Sequence, residues 1–225
     1  MFEESDNRST RQQMIALRER MVHDQLVRRG VRNEAVLAAM RTVPRHRFVP
    51  ERNRAESYKD GPVPIGANQT ISQPFIVASM TEHLELSPGS KVLEIGTGCG
   101  YQTAVLAEIT DQVYSVERIA SLHESAARLL AALGYHHVNL RLGDGSLGWS
   151  DAAPFDAIIV TAAAPDIPDT LVSQLADSGR MVLPLETTGG RQDLIKLTRT
   201  AGGIVREYLY EVRFVPMLGD IERGR

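Results

Sequence analysis

The stretch that decides the fold is Val92-Leu93-Glu94-Ile95-Gly96-Thr97-Gly98-Cys99-Gly100, in which an apolar run ends in three alternating glycines. The apolar run predicts a buried strand over residues 91–95, and the residues that follow the glycines predict a helix over 101–109. A strand, a glycine turn and a helix in this order form the ligand-binding corner of many α/β sheets. Glycines there permit a tight turn and let a ligand approach the backbone closely.

The same alternation of strands and helices continues toward the C terminus. Apolar runs predict strands over residues 112–116, 138–142, 155–160 and 180–185, and helical spacing predicts helices over 120–133 and 169–176. Two later strands, 193–199 and 204–215, flank a glycine turn and predict a hairpin. The predicted fold is therefore α/β, a doubly wound Rossmann-like sheet with a C-terminal antiparallel hairpin.

The N-terminal part of the chain has a different pattern. Residues 12–29 and 34–40 predict helices, the first stopped by Gly30 and the second capped by Asn33, and residues 75–84 predict a third. Between them, residues 45–74 are rich in proline and predict a long irregular loop of the kind that is usually functional. We expect a flexible polar arm over 1–11 and a single domain over 12–225. In that domain, 12–87 form an N-terminal helical cap with the loop, and 88–225 form the α/β core and hairpin.

Composition excludes several classes of function. The 225 residues carry a net charge of −3, and this balance provides no basic surface for nucleic acid. The single cysteine cannot form an intramolecular disulfide, and no apolar run suits a signal peptide or a membrane span, so we expect a cytoplasmic protein without membrane contacts. No histidine has zinc-ligand spacing, so no metal is expected.

Three details of the glycine corner select its ligand. Tyr101 stands where the dinucleotide fingerprint has its last glycine. The negative charge of Glu94 would repel a pyrophosphate but suits the ammonium and sulfonium of S-adenosylmethionine. Glu117 ends the next strand about 20 residues on, the place for a carboxylate that grips ribose hydroxyls. The residues predicted to bind S-adenosylmethionine at this corner are Glu94, Gly96, Thr97, Gly98, Gly100, Glu117 and Arg118.

A third acid follows the third strand. Asp144 lies between Gly143 and Gly145, where its carboxylate can accept a hydrogen bond from the adenine amino group while Gly145 leaves room for the ring. The alternative is a simple Asp-Gly turn. Acids at three consecutive strand ends favour the ligand site, because open α/β sheets bind ligands at the carboxyl ends of their strands.

Other stretches carry a resemblance to a known family. They are Pro64-Ile65-Gly66-Ala67-Asn68-Gln69-Thr70-Ile71-Ser72-Gln73-Pro74, then Pro154-Phe155-Asp156-Ala157-Ile158-Ile159-Val160-Thr161-Ala162-Ala163-Ala164-Pro165, then Gly179-Arg180-Met181-Val182-Leu183-Pro184. Together with 92–107 and 115–119, they closely resemble the bacterial protein-L-isoaspartate O-methyltransferases, over about residues 21–217. The segment Thr70-Ile71-Ser72-Gln73-Pro74 is the most specific of them. Two departures are Ala67-Asn68, where the family has a glycine-rich pair, and Cys99, where serine is usual.

The resemblance implies methyl transfer from S-adenosylmethionine to the free α-carboxylate of an L-isoaspartyl residue in a damaged protein. The ester would then collapse to a succinimide, which begins repair. The resemblance also implies that Ser72 is the active-site serine and that Gln192 belongs to the cofactor site. Thr70, Ile71, Ser72 and Val215 would contact the substrate, and Thr70 the cofactor as well. We expect a monomer, since such an enzyme must admit varied exposed loops.

The chemistry of the acceptor agrees with the lack of an evident base. A carboxylate with a pKa of about 4 is already ionised at neutral pH, so no proton must be removed before transfer. Ser72 suits the role of a hydrogen-bond donor better than that of a nucleophile, and its alternative role is a helix N-cap before Phe75. The rival hypotheses are a methyltransferase of a small molecule or RNA, a non-catalytic S-adenosylmethionine sensor, and a nicotinamide oxidoreductase. Glu94 and Tyr101 disfavour the last.

Overall fold

The computed structural model of the protein describes the backbone of residues 2–219 and the side chains of residues 11–219. Helix α1 spans Phe2–Met21 and continues through a π turn, Val22–Leu26, into a 3-10 turn that ends at Gly30. The backbone of residues 2–11 is thus helical, and the expected flexibility of the arm over 1–11 stays a prediction. The polar segment contains neither glycine nor proline, and so nothing in it breaks a helix.

Helix α2 (Glu34–Thr42) begins at the predicted cap. The Oδ1 atom of Asn33 accepts hydrogen bonds from the backbone N–H groups of Ala35 (3.0 Å) and Val36 (3.2 Å). These bonds satisfy two of the backbone donors that every helix leaves free in its first turn. One face of α2 is buried, and helix α2 therefore forms part of the cap over the rest of the domain.

Residues 45–74 are more regular than predicted. Strands β1 (Val63–Gly66) and β2 (Gln69–Ile71) pair in antiparallel fashion, and helix α3 (Pro74–His83) follows. Ala67 and Asn68 connect the two strands with φ angles of 49° and 57°. Positive φ at both turn residues is typical of a type I′ hairpin. The prediction of an irregular loop was wrong here, because the turn lacks the usual Asn-Gly signal and Pro64 disfavours a strand.

A seven-stranded sheet forms the centre of the described chain. Its strands are β3 (Lys91–Ile95), β4 (Gln112–Glu117), β5 (Asn139–Leu142), β6 (Phe155–Val160), β7 (Leu175–Glu186), β8 (Gln192–Thr200) and β9 (Gly203–Val212). Helices α4 (Tyr101–Ala107), α5 (Ala120–Ala132) and α6 (Asp169–Ser173) connect the parallel strands. The strand order is β5-β4-β3-β6-β7-β8-β9, with β3 to β7 parallel and β8 and β9 antiparallel.

This topology confirms the predicted doubly wound sheet with a terminal antiparallel hairpin. Several boundaries differ from the predicted ones, among them those of β7 and β9. Strand β7 begins at Leu175, inside the predicted helix, because the backbone N–H of Phe155 bonds to the Gln174 carbonyl (2.9 Å) and draws this segment into the sheet. Strand β9 ends at Val212, so Val215 lies beyond the hairpin.

The order of the strands creates a crevice at one edge of the sheet. The chain runs outward from β3 to β5 and then returns to β6 on the other side of β3. Such a reversal leaves the carboxyl ends of the two central strands free of a covering connection, and ligands of open α/β sheets bind there. Within residues 2–219, we find no helix with the length and apolar character that crossing a membrane requires.

Candidate cofactor and acceptor site

A cleft opens at the carboxyl ends of β3, β4 and β6. Its empty space, with the open mouth included, is about 960 Å³. Ten of the predicted site residues line it, namely Thr70, Ile71, Ser72, Gly96, Thr97, Gly98, Glu117, Arg118, Gly145 and Val215. The structure therefore brings most of the residues predicted for the cofactor, and those predicted for the acceptor, to one pocket.

The glycine loop packs closely against β6. Gly96 has a φ of 97°, and a Cβ atom there would lie 2.4 Å from Thr161 Oγ1. The Thr161 hydroxyl is within hydrogen-bond distance of the carbonyl oxygens of Ile95 (2.9 Å) and Gly96 (2.7 Å). Thr161 also lines the cleft, although we did not predict it as a site residue. Its position directly after the strand 155–160 was the signal that could have identified it.

The carboxylate of Glu117 is held by the backbone. Its Oε2 atom accepts a hydrogen bond from the Gly98 N–H and its Oε1 atom accepts one from the Ile119 N–H, both at 2.8 Å. Each carboxylate oxygen has a second lone pair. A fixed carboxylate with spare lone pairs can accept hydrogen bonds from a pair of ribose hydroxyls. This end of the cleft therefore suits S-adenosylmethionine.

Glu94 does not take the predicted position on the cleft wall. Its side chain is fully buried beneath the glycine loop, where its Oε2 atom accepts hydrogen bonds from Thr103 (2.5 Å) and Ser115 (2.7 Å). Its Oε1 atom has no hydrogen-bond partner among the described residues. Burial raises the pKa of Glu94 to about 8, since a low dielectric disfavours the charged form.

Glu94 nevertheless reaches the cleft indirectly. The hydroxyls of Thr97 and Ser115 lie 2.6 Å apart, and Ser115 in turn donates to Glu94. Thr97 lines the cleft, and the network therefore connects the buried acid to the loop above it. The sequence placed Glu94 at the correct corner, but the sheet directs its side chain inward against α4.

Three other predicted cofactor residues also stand behind the wall of the cleft. Asp144 accepts hydrogen bonds from the N–H (2.9 Å) and hydroxyl (2.7 Å) of Ser146 and pairs with Arg118 at 3.3 Å. The Gln192 side chain bonds to both backbone groups of Phe214. Gly100 is the residue that precedes α4. Asp144 and Gln192 thus hold residues that lie next to the cleft. Direct contact of these three residues with a cofactor stays a prediction.

Ser72 directly follows β2 and lies two residues before α3. The residue at the cap position of α3 is Gln73, so the helix-capping alternative for Ser72 is not what the structure has. Ser72 lines the cleft, and among the described residues no hydrogen bond to its Oγ atom is found. The backbone carbonyl of Ser72 is not free, because it accepts a hydrogen bond from Arg45 Nη2 at 2.7 Å.

The segment after β9 forms the wall that includes Val215. The Ala163 N–H donates to the Val215 carbonyl (2.8 Å), and the Met217 N–H donates to the Ala163 carbonyl (2.7 Å). These bonds fasten the segment to the end of β6. Met217 and Leu218 line the cleft as well, although no local pattern marked them in the sequence.

The parallel sheet, the glycine loop and the fixed carboxylate at the next strand define a Rossmann-like methyltransferase that uses S-adenosylmethionine. Comparison with known proteins agrees. The family model of protein-L-isoaspartate(D-aspartate) O-methyltransferase matches residues 17–222. The chain belongs to this family.

Individual relatives share most of its length. A protein-L-isoaspartate O-methyltransferase of Gloeobacter violaceus is 55% identical over 197 residues, which are 88% of this chain and 96% of that protein. Protein-L-isoaspartate O-methyltransferase 1 of Rhodopseudomonas palustris is 54% identical over 206 residues, 91% of this chain and 84% of that protein.

Solved structures of similar proteins have the same fold. One protein-L-isoaspartate O-methyltransferase superposes with a TM-score of 0.83 at 29% identity, covering 92% of this chain and 69% of that chain. A Plasmodium falciparum protein assigned to the same enzymes, solved in complex with S-adenosyl-L-homocysteine, has a TM-score of 0.79 at 26% identity. That comparison covers 90% of this chain and 99% of the other.

Proposed function

We propose that this protein transfers a methyl group from S-adenosylmethionine to the free α-carboxylate of L-isoaspartyl residues in damaged proteins and peptides. The observation that carries the proposal is the single cleft in which Thr70 and Ser72 lie with the glycine loop and Glu117. A methyl donor held at one end of such a cleft would meet an acceptor held at the other end.

The cofactor end contains a carboxylate that the backbone holds in place. S-adenosylmethionine supplies an electrophilic methyl group on a sulfonium. Glu117, fixed by the N–H groups of Gly98 and Ile119, would hold the ribose hydroxyls. Gly145 and Arg118, which line the cleft beside Glu117, would border the adenine.

The acceptor end needs a donor rather than a base. An α-carboxylate is ionised at neutral pH and can attack without losing a proton. The Ser72 hydroxyl would donate a hydrogen bond that orients the carboxylate, while Thr70, Ile71 and Val215 would enclose the peptide. Orientation and exclusion of water can supply most of the rate of such a transfer.

The methyl ester that results is itself unstable. The backbone nitrogen of the following residue attacks the ester carbonyl, methanol leaves, and a succinimide ring forms. Water then opens the ring to an aspartyl or an isoaspartyl residue. The second of these products can be methylated again, so repeated cycles would restore the normal backbone, and the protein itself needs to catalyse only the methyl transfer.

We further infer a monomer that works in the cytoplasm. A monomer suits an enzyme that must admit varied exposed loops, and a single cysteine is typical of a reducing compartment. Sedimentation of the purified protein together with localisation of a tagged copy would test both points.

Methyl transfer to paired peptides tests the main proposal. Two peptides that differ only in an isoaspartyl or an aspartyl residue are incubated with S-adenosylmethionine labelled in its methyl group. We expect label on the isoaspartyl peptide alone, released by mild base as methanol. Label on neither peptide, with cofactor binding intact, would favour a sensor, and label only on added small molecules would favour the other class of methyltransferase.

A further inference from the structure

A cationic side chain lies fully buried behind the segment that ends at Ser72. Arg45 follows α2 and begins a short 3-10 turn, and its exposed fraction is 0%. No ion pair joins it to an acid within residues 11–219. Buried charges in proteins are usually paired, because an unpaired one is costly to remove from water. The retention of a lone guanidinium here therefore calls for a role that its own contacts can identify.

The contacts of Arg45 reach three separate segments of the site. Its Nε atom donates to the carbonyl of Ser57 (2.6 Å) and its Nη2 atom to the carbonyl of Ser72 (2.7 Å). The guanidinium also lies over the ring of Tyr101, with its central carbon 4.9 Å from the ring centroid. Ser57 precedes the β1–β2 hairpin, Ser72 follows it, and Tyr101 begins the helix that leaves the glycine loop.

The planar shape of the guanidinium suits this arrangement. Its donors form a rigid fork that can meet two carbonyls in fixed directions while one face stacks on an aromatic ring. A lysine carries its three donors on one nitrogen and has no planar face, so it could not reach both of these carbonyls from a position over the ring. The two hydrogen bonds join the two ends of the hairpin segment, and the ring contact sets this pair against the glycine loop.

We propose that Arg45 is a positioning residue for methyl transfer, which holds the carbonyl of Ser72 and so sets the acceptor hydroxyl against the glycine loop. The assignment rests on the proposed function, because it presupposes that Ser72 orients the acceptor. Arg45 acts through the backbone of Ser72. Its Nη1 atom is buried and has no hydrogen-bond partner among residues 11–219, so the guanidinium also places a positive charge without an acidic partner behind the segment that carries the acceptor hydroxyl.

Two variants separate this role from simple packing. Arg45→Lys keeps the charge and Arg45→Gln keeps a planar donor, but neither can meet both carbonyls while it stacks on Tyr101. We expect each to lower kcat for the isoaspartyl peptide at least tenfold, with the Kd of S-adenosylmethionine within threefold of the wild-type value. Arg47→Lys is the matched control, since Arg47 lies in the same turn with an exposed side chain, and its kcat should not change.

A double-mutant cycle provides the readout that a purely structural role would not move. Ser72→Ala is combined with Arg45→Lys, and kcat is measured well below the melting temperature of each variant. If Arg45 acts through Ser72, the loss caused by Arg45→Lys should shrink at least fivefold when the hydroxyl is already absent. Multiplicative losses would overturn the assignment, and so would a kcat within threefold of wild type in either folded Arg45 variant.

Failure of folding is also decisive. Near-ultraviolet circular dichroism is compared with that of the wild type before any assay. If neither Arg45 variant folds, Arg45 is a structural residue and the assignment fails. If the wild type itself leaves the isoaspartyl peptide unlabelled, the proposed function fails instead. The methyl-transfer assay of the wild type therefore distinguishes the two failures.

Discussion

Replacement of Glu94 by glutamine should remove a large pH dependence from the stability of the protein. The Glu94 carboxyl is buried, and its pKa rises from 4.5 to about 8 on folding. The folded state therefore retains a proton that the unfolded state has already lost. The stabilising contribution is complete below pH 4.5, falls as the pH rises toward 8, and stays constant above that value.

The magnitude follows from the two pKa values. A shift of one unit corresponds to roughly 1.4 kcal/mol. Between pH 5 and pH 8, the raised pKa of Glu94 should cost the wild-type protein about 3 kcal/mol of unfolding free energy. Glu94→Gln has no such titration. It can be less stable at every pH, because its amide leaves donors without partners, but that offset does not depend on pH.

Urea denaturation of cofactor-free protein at pH 5, 6, 7 and 8 measures the effect. We expect the difference in unfolding free energy between wild type and Glu94→Gln to move by about 3 kcal/mol over this range, in favour of the variant at high pH. Glu124→Gln is the control, since that side chain is exposed on α5, and its difference from wild type should stay constant. If the unfolding free energies of Glu94→Gln and wild type changed equally with pH, the argument that Glu94 is buried and protonated would be refuted.

Three further substitutions test the site. Ser72→Ala should reduce kcat/KM for an isoaspartyl peptide ten- to a hundredfold without weakening cofactor binding, the loss of a hydrogen bond worth about 1.5–3 kcal/mol; unchanged kinetics would contradict its role. Glu117→Gln leaves only one oxygen for two backbone donors, and calorimetry should show S-adenosylmethionine bound about ten- to a hundredfold more weakly. Gly96→Ala introduces a Cβ atom 2.4 Å from the Thr161 hydroxyl at a φ of 97°. Its melting temperature should fall, and a Thr161→Ala exchange in the same chain should recover part of the loss but not all of it, since the backbone strain remains.

Local patterns were sufficient for the elements of the α/β core. Strands β3 and β6 begin and end at the residues that their apolar runs predicted, because a strand buried on both faces leaves a continuous hydrophobic signal. The glycine spacing and Glu117 were enough to predict the ligand at the switch between β3 and β6. The family likeness, carried mainly by residues 70–74, predicted the acceptor.

Local patterns failed where backbone conformation depends on contacts with the rest of the fold. The β1–β2 hairpin was missed because Ala67 and Asn68 adopt positive φ without the usual glycine. Strand β7 begins earlier than its sequence suggests because it pairs with β6. In both places, pairing with a neighbouring strand overrode the propensity of the segment.

The sequence by itself determined the order of elements in the α/β core and the cofactor, since both depend on residue types at short spacing, and through the family likeness it predicted the acceptor segment. Only the tertiary structure decided which way each functional side chain faces. It turned Glu94 inward beneath the loop, and it brought Thr161 to Gly96 across 65 residues and Arg45 to Ser72 across 27 residues. Such contacts depend on how strands and helices pack in three dimensions, and no spacing along the chain encodes them.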